Sequence, residues 1–127
     1  MSWIEVRLTP EAGGGTHFEL EHTAQVGDER WAEFGPGAVG VGWDLGLLGL
    51  SRHLASGATV DPSASMAWLA SDAGHGFVTS SSEAWGAANA AAGEPEESAR
   101  AAARRTTAAY TGGEGGGGAD EGADGAA

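Results

Sequence analysis

Hydrophobic and polar positions alternate along two runs near the start of the chain, residues 2–8 and 16–23. A period of two is typical of a half-buried β-strand, and the Pro- and Gly-containing residues 10–15 between the runs predict an antiparallel hairpin. Each strand has one apolar face, formed by Ile4, Val6 and Leu8 in the first and by Phe18, Leu20 and His22 in the second. Because an isolated hairpin is marginal in water, we expect more strands or a helix to cover it.

The period then changes to that of a helix. Residues 25–37 contain several glycines and a proline and are predicted to be irregular. A stripe of large apolar residues follows at helical spacing: Trp43, Leu47, Leu50 and Leu54. This stripe predicts a long amphipathic helix with a wide apolar face. Gly57 is placed to cap its C-terminus, since glycine readily adopts the left-handed conformation that ends many helices.

Three further helices are predicted after this point. Asp61 and Pro62 form a helix start, because aspartate accepts a bond from a free backbone amide and proline suits the first turn. A third helix is expected over residues 76–92 and a fourth over residues 95–110, each followed by a glycine. The order indicates an α+β fold: an antiparallel hairpin packed on a long helix, with extra helices.

Composition narrows the classes of partner. The chain has 18 Asp and Glu residues, 6 basic residues and a net charge of −12, so we expect neither nucleic-acid nor membrane binding. The absence of cysteine excludes disulfides and thiolate chemistry. No signal peptide is recognisable, and a cytoplasmic location is predicted. Residues 112–127 carry no large apolar side chain and are predicted to be a disordered acidic tail rich in Gly and Ala.

Three sets of residues with chemical potential have simpler structural interpretations. Gly35, Gly37 and Gly40 spell GxGxxG, but charged residues precede them instead of a buried strand. A flexible entry loop and a helix start of small residues, with Asp61 as a cap, are therefore favoured over a nucleotide site. The four histidines form no metal-binding spacing. The hydroxyl run at residues 79–82 lacks a GxSxG elbow. We therefore predict no catalytic residue, no metal site and no cofactor.

Two aromatic positions have two interpretations each. His22 lies on an apolar strand face, where it is either a satisfied core or edge histidine or a polar contact to a ligand. Trp43 heads the helical stripe and is either core or pocket wall. Trp68 and Trp85 are predicted to lie in the core between helices, whereas Trp31 occurs in a polar segment that is compatible with exposure.

The order of these features resembles a known family. The strand pair IEVRL and THFELEH, joined by a Gly-rich turn and closed by His22, is similar to the last two strands of the SRPBCC superfamily (START-like, helix-grip). Gly42, Trp43 and Asp44 resemble the start of that family's C-terminal helix. The likeness is to homologues of the heat-shock protein 90 ATPase activator, and residues 66–112 resemble a helical extension in an actinobacterial subgroup.

The resemblance implies a curved antiparallel sheet around the long helix, with a cavity for a hydrophobic small molecule. The residues that would line it are Phe18, Leu20, His22, Trp43, Leu47 and Leu50. Residues 1–57 would be the C-terminal part of the helix-grip domain, residues 58–111 the helical extension and residues 112–127 the tail. The family's earlier strands have no counterpart here, so we expect a truncated domain or a misplaced start, with an open sheet edge available for homodimerisation.

Three functions are therefore expected, in order. Binding of a hydrophobic small molecule, without chemistry, is favoured. The first alternative is a protein-interaction or co-chaperone-like regulatory module that pairs through the hairpin edge. The second is an enzyme of the polyketide cyclase or aromatase kind, for which only His22 is a candidate polar group in the cavity.

Overall fold

Two strands followed by five helices form the part of the chain that the computed structural model describes, residues 1–112. The elements are β1 (Ser2–Pro10), β2 (Thr16–Ala24), α1 (Asp28–Phe34), α2 (Gly37–Ser56), α3 (Pro62–Leu69), α4 (Asp72–Ala91) and α5 (Glu96–Thr111). This order confirms the predicted α+β class. The predicted disordered tail lies outside the described residues, except for its first residue, Gly112.

β1 and β2 form an antiparallel hairpin whose register follows the alternation in the sequence. Val6 lies opposite Leu20, and Leu8 lies opposite Phe18, so the apolar positions of both strands share one face. Among residues 1–112 no third strand joins this sheet. The hairpin therefore has two unpaired edges within the described part of the chain.

Arg7 lies on the other face of the hairpin, among three acidic residues. Its guanidinium lies 2.7 Å from Glu5, 2.6 Å from Glu19 and 3.2 Å from Glu21. The hydrogen bond to Glu21 and the negative charge of Glu5 raise the pKa of Arg7 above its ordinary value. Because these side chains are exposed, solvent screens the pairs and they contribute little to stability. Their effect is to relieve the repulsion between Glu5 and Glu21, which face each other across the hairpin.

The core consists of small side chains where α2, α4 and α5 meet. Its buried apolar residues are Val41, Val78, Ala99, Ala102 and Ala103. Glycine permits the closest approach of α4 to α5, because a Cβ atom at Gly86 would lie 2.9 Å from the Cβ of Ala103. The helices therefore pack by close backbone approach, with few large side chains between them.

The helix ends follow the capping chemistry expected from the sequence. Asp61 accepts a hydrogen bond from the backbone N–H of Ser63 at 2.9 Å, and Pro62 stands in the first turn of α3. Gly57 ends α2 and Gly112 ends α5, both in the left-handed conformation. These caps could be predicted from the sequence because they depend on neighbouring residues and not on tertiary contacts.

α4 begins four residues earlier than the predicted start at residue 76, namely at Asp72. Ser71 is its N-cap, and its hydroxyl oxygen accepts from the N–H of Gly74 at 3.2 Å. Glycine weakens helix propensity, so two glycines concealed this first turn in the sequence. A Cβ atom at Gly74 would lie 2.2 Å from the carbonyl oxygen of Trp68, so glycine permits the close turn between α3 and α4.

The prediction of an irregular segment over residues 25–37 is wrong for α1, a helix of seven residues. α1 buries none of its residues, so it has no apolar stripe to reveal it. Arg105 of α5 stabilises its last turn by donating to the carbonyl of Glu33 at 2.6 Å and to that of Ala32 at 3.0 Å. These bonds satisfy carbonyls that a helix C-terminus leaves without partners. The helix thus depends on a residue far away in the sequence.

α2 shares one core with helices that follow the predicted boundary at residue 57. At its first turn, the Tyr110 hydroxyl of α5 donates to the carbonyl of Ala38 at 2.8 Å. Burial raises the pKa of Tyr110, and the neighbouring N–H of Gly42 offsets part of this effect. The division into residues 1–57 and 58–111 stays a prediction, and both segments contribute to the same packed interior.

Candidate functional site

A groove of about 570 Å³ lies between β2, α1 and α2. Seven large apolar or aromatic side chains line it: Phe18, Leu20, Val26, Trp31, Trp43, Leu47 and Trp85. Small-molecule sites typically have volumes of roughly 300 to 1,000 Å³, so the groove has the size of a ligand site. The strand residues that line it all belong to β2, which places the second strand of the hairpin next to the helices.

The structure brings together five of the six residues that the family resemblance implied would line a cavity. Those five are Phe18, Leu20, His22, Trp43 and Leu47. Leu50 lies elsewhere, in a groove of about 470 Å³ that Met66 and Trp68 of α3 also line. It is about 10 Å further along the helix axis than Trp43, where α3 instead of the hairpin faces α2.

A pair of aromatic rings joins the hairpin to α2. The indole Nε1 of Trp43 donates a hydrogen bond to Nδ1 of His22 at 3.1 Å. The two rings meet edge to face, with centroids 5.7 Å apart and an interplanar angle of 82°. Because Nδ1 accepts this bond, a neutral His22 carries its proton on Nε2. One ring nitrogen of His22 is therefore bonded to Trp43, and both side chains line the groove.

A carboxylate of α2 binds two residues of α4 beside the groove. Oδ2 of Asp44 accepts from the hydroxyl of Ser81 at 2.6 Å and from the indole N–H of Trp85 at 3.0 Å. Hydrogen bonds to a charged acceptor are stronger than neutral ones, so this cluster fixes α2 against α4. Sequence reasoning missed it. The available signals were a charged residue inside an apolar helical stripe and a hydroxyl run on a later helix.

The three glycines of the GxGxxG pattern are buried where α1 meets α2. A Cβ atom at Gly40 would lie 2.1 Å from the indole of Trp85, and one at Gly37 would lie 3.2 Å from the hydroxyl of Thr106. The glycines therefore face protein side chains at close range. Residues 37–40 form the first turn of α2, so the connection to α1 is limited to Gly35 and Pro36.

Large apolar side chains around the groove remain partly exposed. Phe18 is 37% exposed and Leu47 is 38% exposed, and exposure along the α2 stripe rises to 75% at Leu54. Trp31 is also exposed, as its polar segment allowed. Contiguous apolar surface of this kind marks interaction sites on soluble proteins.

Other surfaces offer less defined chemistry. A groove of about 930 Å³ between α4 and α5 is larger, but charged residues of both signs line it: Glu83, Glu94, Glu96, Arg100 and Arg104. Within residues 1–112, no three His, Asp or Glu side chains are grouped as ligands for a metal ion. No helix in the same range is long and apolar enough to cross a membrane.

Comparisons with protein-family models, with curated proteins and with solved structures found no match. The likeness to the SRPBCC superfamily therefore stays a hypothesis based on the hairpin, the loop and the long helix. Because fold analogy does not establish function, the function has to be argued from the groove itself.

Proposed function

We propose that the chain binds a hydrophobic small molecule in the groove between β2 and α2, without a chemical step. The observation that carries this proposal is the grouping of large, partly exposed apolar and aromatic side chains around one concave surface. A ligand in this groove would remove that surface from water, which contributes about 25 cal/mol for each Å² of apolar area.

Polar side chains at the groove favour a ligand with one hydrogen-bond acceptor and an apolar body. His22 and Arg30 both line the groove. Since Nδ1 of His22 is engaged by Trp43, the proton on Nε2 is the one that can be donated to a ligand. Arg30 adds a permanent positive charge. Asp44 also lines the groove, but its Oδ2 already accepts two hydrogen bonds.

The proposal is tested by titration with the fluorescent apolar probe N-phenyl-1-naphthylamine. We expect saturable binding with one probe per chain. Leu47→Asp places a charge among apolar groove residues, where an unpaired charge is strongly disfavoured, so we expect at least about a tenfold loss of affinity.

Leu54→Asp is the matched control, because Leu54 lies on the same helix but is 75% exposed and outside the groove. It should leave probe affinity within about twofold of the unaltered chain, and circular dichroism should show that both variants are folded. Equal losses in the two variants, or binding of many probes without saturation, would contradict a site in this groove.

A protein-interaction function is the second candidate, favoured by the exposed apolar face of β1, where Ile4 is 51% and Val6 is 49% exposed. The cyclase alternative has no comparable support. Its candidate polar group, His22, has one ring nitrogen engaged by Trp43. That alternative stays a prediction, and turnover of an aromatic polyketide-like substrate would be needed to establish it.

A further inference from the structure

The outer edge of β1 is a row of backbone groups with no strand beside it within residues 1–112. The N–H of Glu11 donates to the carbonyl of Gly15 at 2.8 Å, so odd-numbered residues of β1 direct their backbone groups toward β2. Even-numbered residues then direct theirs outward. This edge is about 30 Å long for the nine residues of Ser2–Pro10.

The helices leave this edge accessible. They contact the hairpin from the β2 side, through the bond between His22 and Trp43, and the strand residues that line the groove all belong to β2. A chain that paired with β1 would therefore lie at the edge of the sheet that is away from the groove. The apolar side chains along β1 also remain exposed: Ile4 is 51%, Val6 is 49% and Leu8 is 63% exposed.

Val6 is the middle residue of β1, and the residues next to it are complementary: Glu5 and Arg7 carry opposite charges, and Ile4 and Leu8 are both apolar. We propose that two copies of this chain pair antiparallel through their β1 edges, with Val6 of one opposite Val6 of the other. The result is a four-stranded sheet with β1 strands at its centre and β2 strands outside. The two-fold axis is perpendicular to the sheet, so both apolar faces lie on the same side.

This register matches side chains on both faces. Glu5 of each copy lies opposite Arg7 of the other, in a position where the backbones do not bond and the side chains approach most closely. Opposite charges directly across a sheet stabilise it. On the apolar face, Ile4 lies opposite Leu8 of the second copy, and both are covered in part. About eight backbone hydrogen bonds can form, since Pro10 has no N–H to donate.

The neighbouring registers are disfavoured by charge. The two β1 strands can shift only by two residues while keeping their hydrogen-bonding pattern. A shift of one residue would place the apolar side chains of the second copy on the opposite face of the sheet. One two-residue shift places Glu5 opposite Glu5 of the second copy, and the other places Arg7 opposite Arg7. Like charges directly opposite destabilise a sheet, so only the register centred on Val6 pairs opposite charges.

Charge reversal tests the interface. Analytical ultracentrifugation of the full chain, in about 0.15 M salt to screen long-range repulsion between acidic copies, should show a concentration-dependent dimer. Arg7→Glu should raise the dissociation constant roughly tenfold or more. It places a glutamate at position 7 of each copy opposite Glu5 of the other, so that two repulsive pairs replace two attractive ones. The double variant Glu5→Arg/Arg7→Glu restores both pairs with reversed signs and should recover most of the affinity.

Arg100→Glu is the matched control, since it makes the same change in charge on α5 and also removes an arginine from an ion pair, with Glu96. It should leave dimerisation within about twofold of the unaltered chain. A monomer at every concentration up to several hundred micromolar, or a double variant no better than Arg7→Glu, would overturn the proposal.

Cysteine probes test the register directly, because the chain contains no other cysteine. Val6→Cys places two sulfurs at the two-fold axis, where Cα atoms about 5.5 Å apart are within disulfide reach. Leu8→Cys has the same strand face, but its two copies lie about 13 Å apart. Mild oxidation should crosslink the first and not the second, and equal crosslinking of both would exclude this register. The proposal does not rest on ligand binding in the groove.

Discussion

The helical core and the open surface around the hairpin use side chains of opposite size. Where α2, α4 and α5 meet, the largest fully buried side chains are Val41, Val78, Thr106 and Ser82. On the hairpin and the outer face of α2, much larger side chains are more than half exposed: Trp3, Ile4, Leu8 and Leu54. Several of the largest apolar side chains thus lie outside the packed interior.

This contrast assigns stability and recognition to different parts of the molecule. Small residues allow helices to approach closely, but each contributes little hydrophobic free energy, because that contribution scales with the area buried. Large exposed residues contribute little until a ligand or a second chain covers them. Substitutions in the core should therefore change the free energy of unfolding, and substitutions on the open surface should change binding.

The largest effect on stability should come from filling the closest contact in the core. Gly40→Ala places a methyl carbon 2.1 Å from a ring carbon of the Trp85 indole, and that indole is hydrogen-bonded to Asp44. Overpacking of this kind typically costs 1 to 3 kcal/mol, and we expect about 3 kcal/mol here because the ring has to move. Urea unfolding followed by tryptophan fluorescence measures the change.

Gly46→Ala is the control on the same helix, since apart from the adjoining backbone of α2 nothing lies within 4 Å of the position that its Cβ would take. It should stabilise the chain by about 0.5 to 1 kcal/mol, as alanine does in place of glycine inside a helix. If the two substitutions changed stability by the same amount, close packing of Gly40 against Trp85 would not be a source of stability.

The second prediction is that the burial of a side chain, and not its size, determines how much its truncation lowers the free energy of unfolding. Val78→Ala removes two methyl carbons from a fully buried side chain and should lower the free energy of unfolding by about 2 kcal/mol. Leu54→Ala removes more carbon from a side chain that is 75% exposed, and it should change stability by less than about 0.5 kcal/mol. A larger loss at Leu54 would mean that the open surface is covered in solution, for example in a dimer.

The sequence predicted the features that local chemistry determines. Alternation in the first 23 residues indicated both strands and which residues share the apolar face, on which the structure pairs Val6 with Leu20. The caps at Asp61 and Gly57 were readable because they depend on a few neighbouring residues. Five residues of the groove were also named beforehand, as cavity-lining positions implied by the resemblance to a helix-grip fold: Phe18, Leu20, His22, Trp43 and Leu47.

The features that the sequence did not reveal are tertiary. α1 is fixed by Arg105, which is more than 70 residues away. The bonds of Asp44 to Ser81 and Trp85 join residues of two helices, and no periodicity indicates which helix faces which. The burial of Gly40 against Trp85 is of the same kind. Such contacts follow from the relative placement of helices, which local patterns do not determine.

The smallest effect is a pH dependence confined to the core. Burial raises the pKa of Tyr110 above its ordinary value, which is about 10 in an unfolded chain. As pH rises past 10, the unfolded chain releases this proton before the folded one does, so the free energy of unfolding should fall until the raised pKa is passed. Below pH 10 the contribution of the neutral hydroxyl is fully present.

The composition of the chain makes this dependence measurable. It contains one tyrosine, no lysine and no cysteine, so Tyr110 is the main group that titrates between about pH 9 and 11.5. Urea unfolding across that range should give a decreasing free energy for the unaltered chain and a nearly constant one for Tyr110→Phe. At pH 7 this variant should be less stable by about 1 kcal/mol or less, because the bond to the carbonyl of Ala38 is lost. An equal slope in both proteins would show that Tyr110 is not buried against α2, and the contact between α5 and the first turn of α2 would then have to be assigned to other residues.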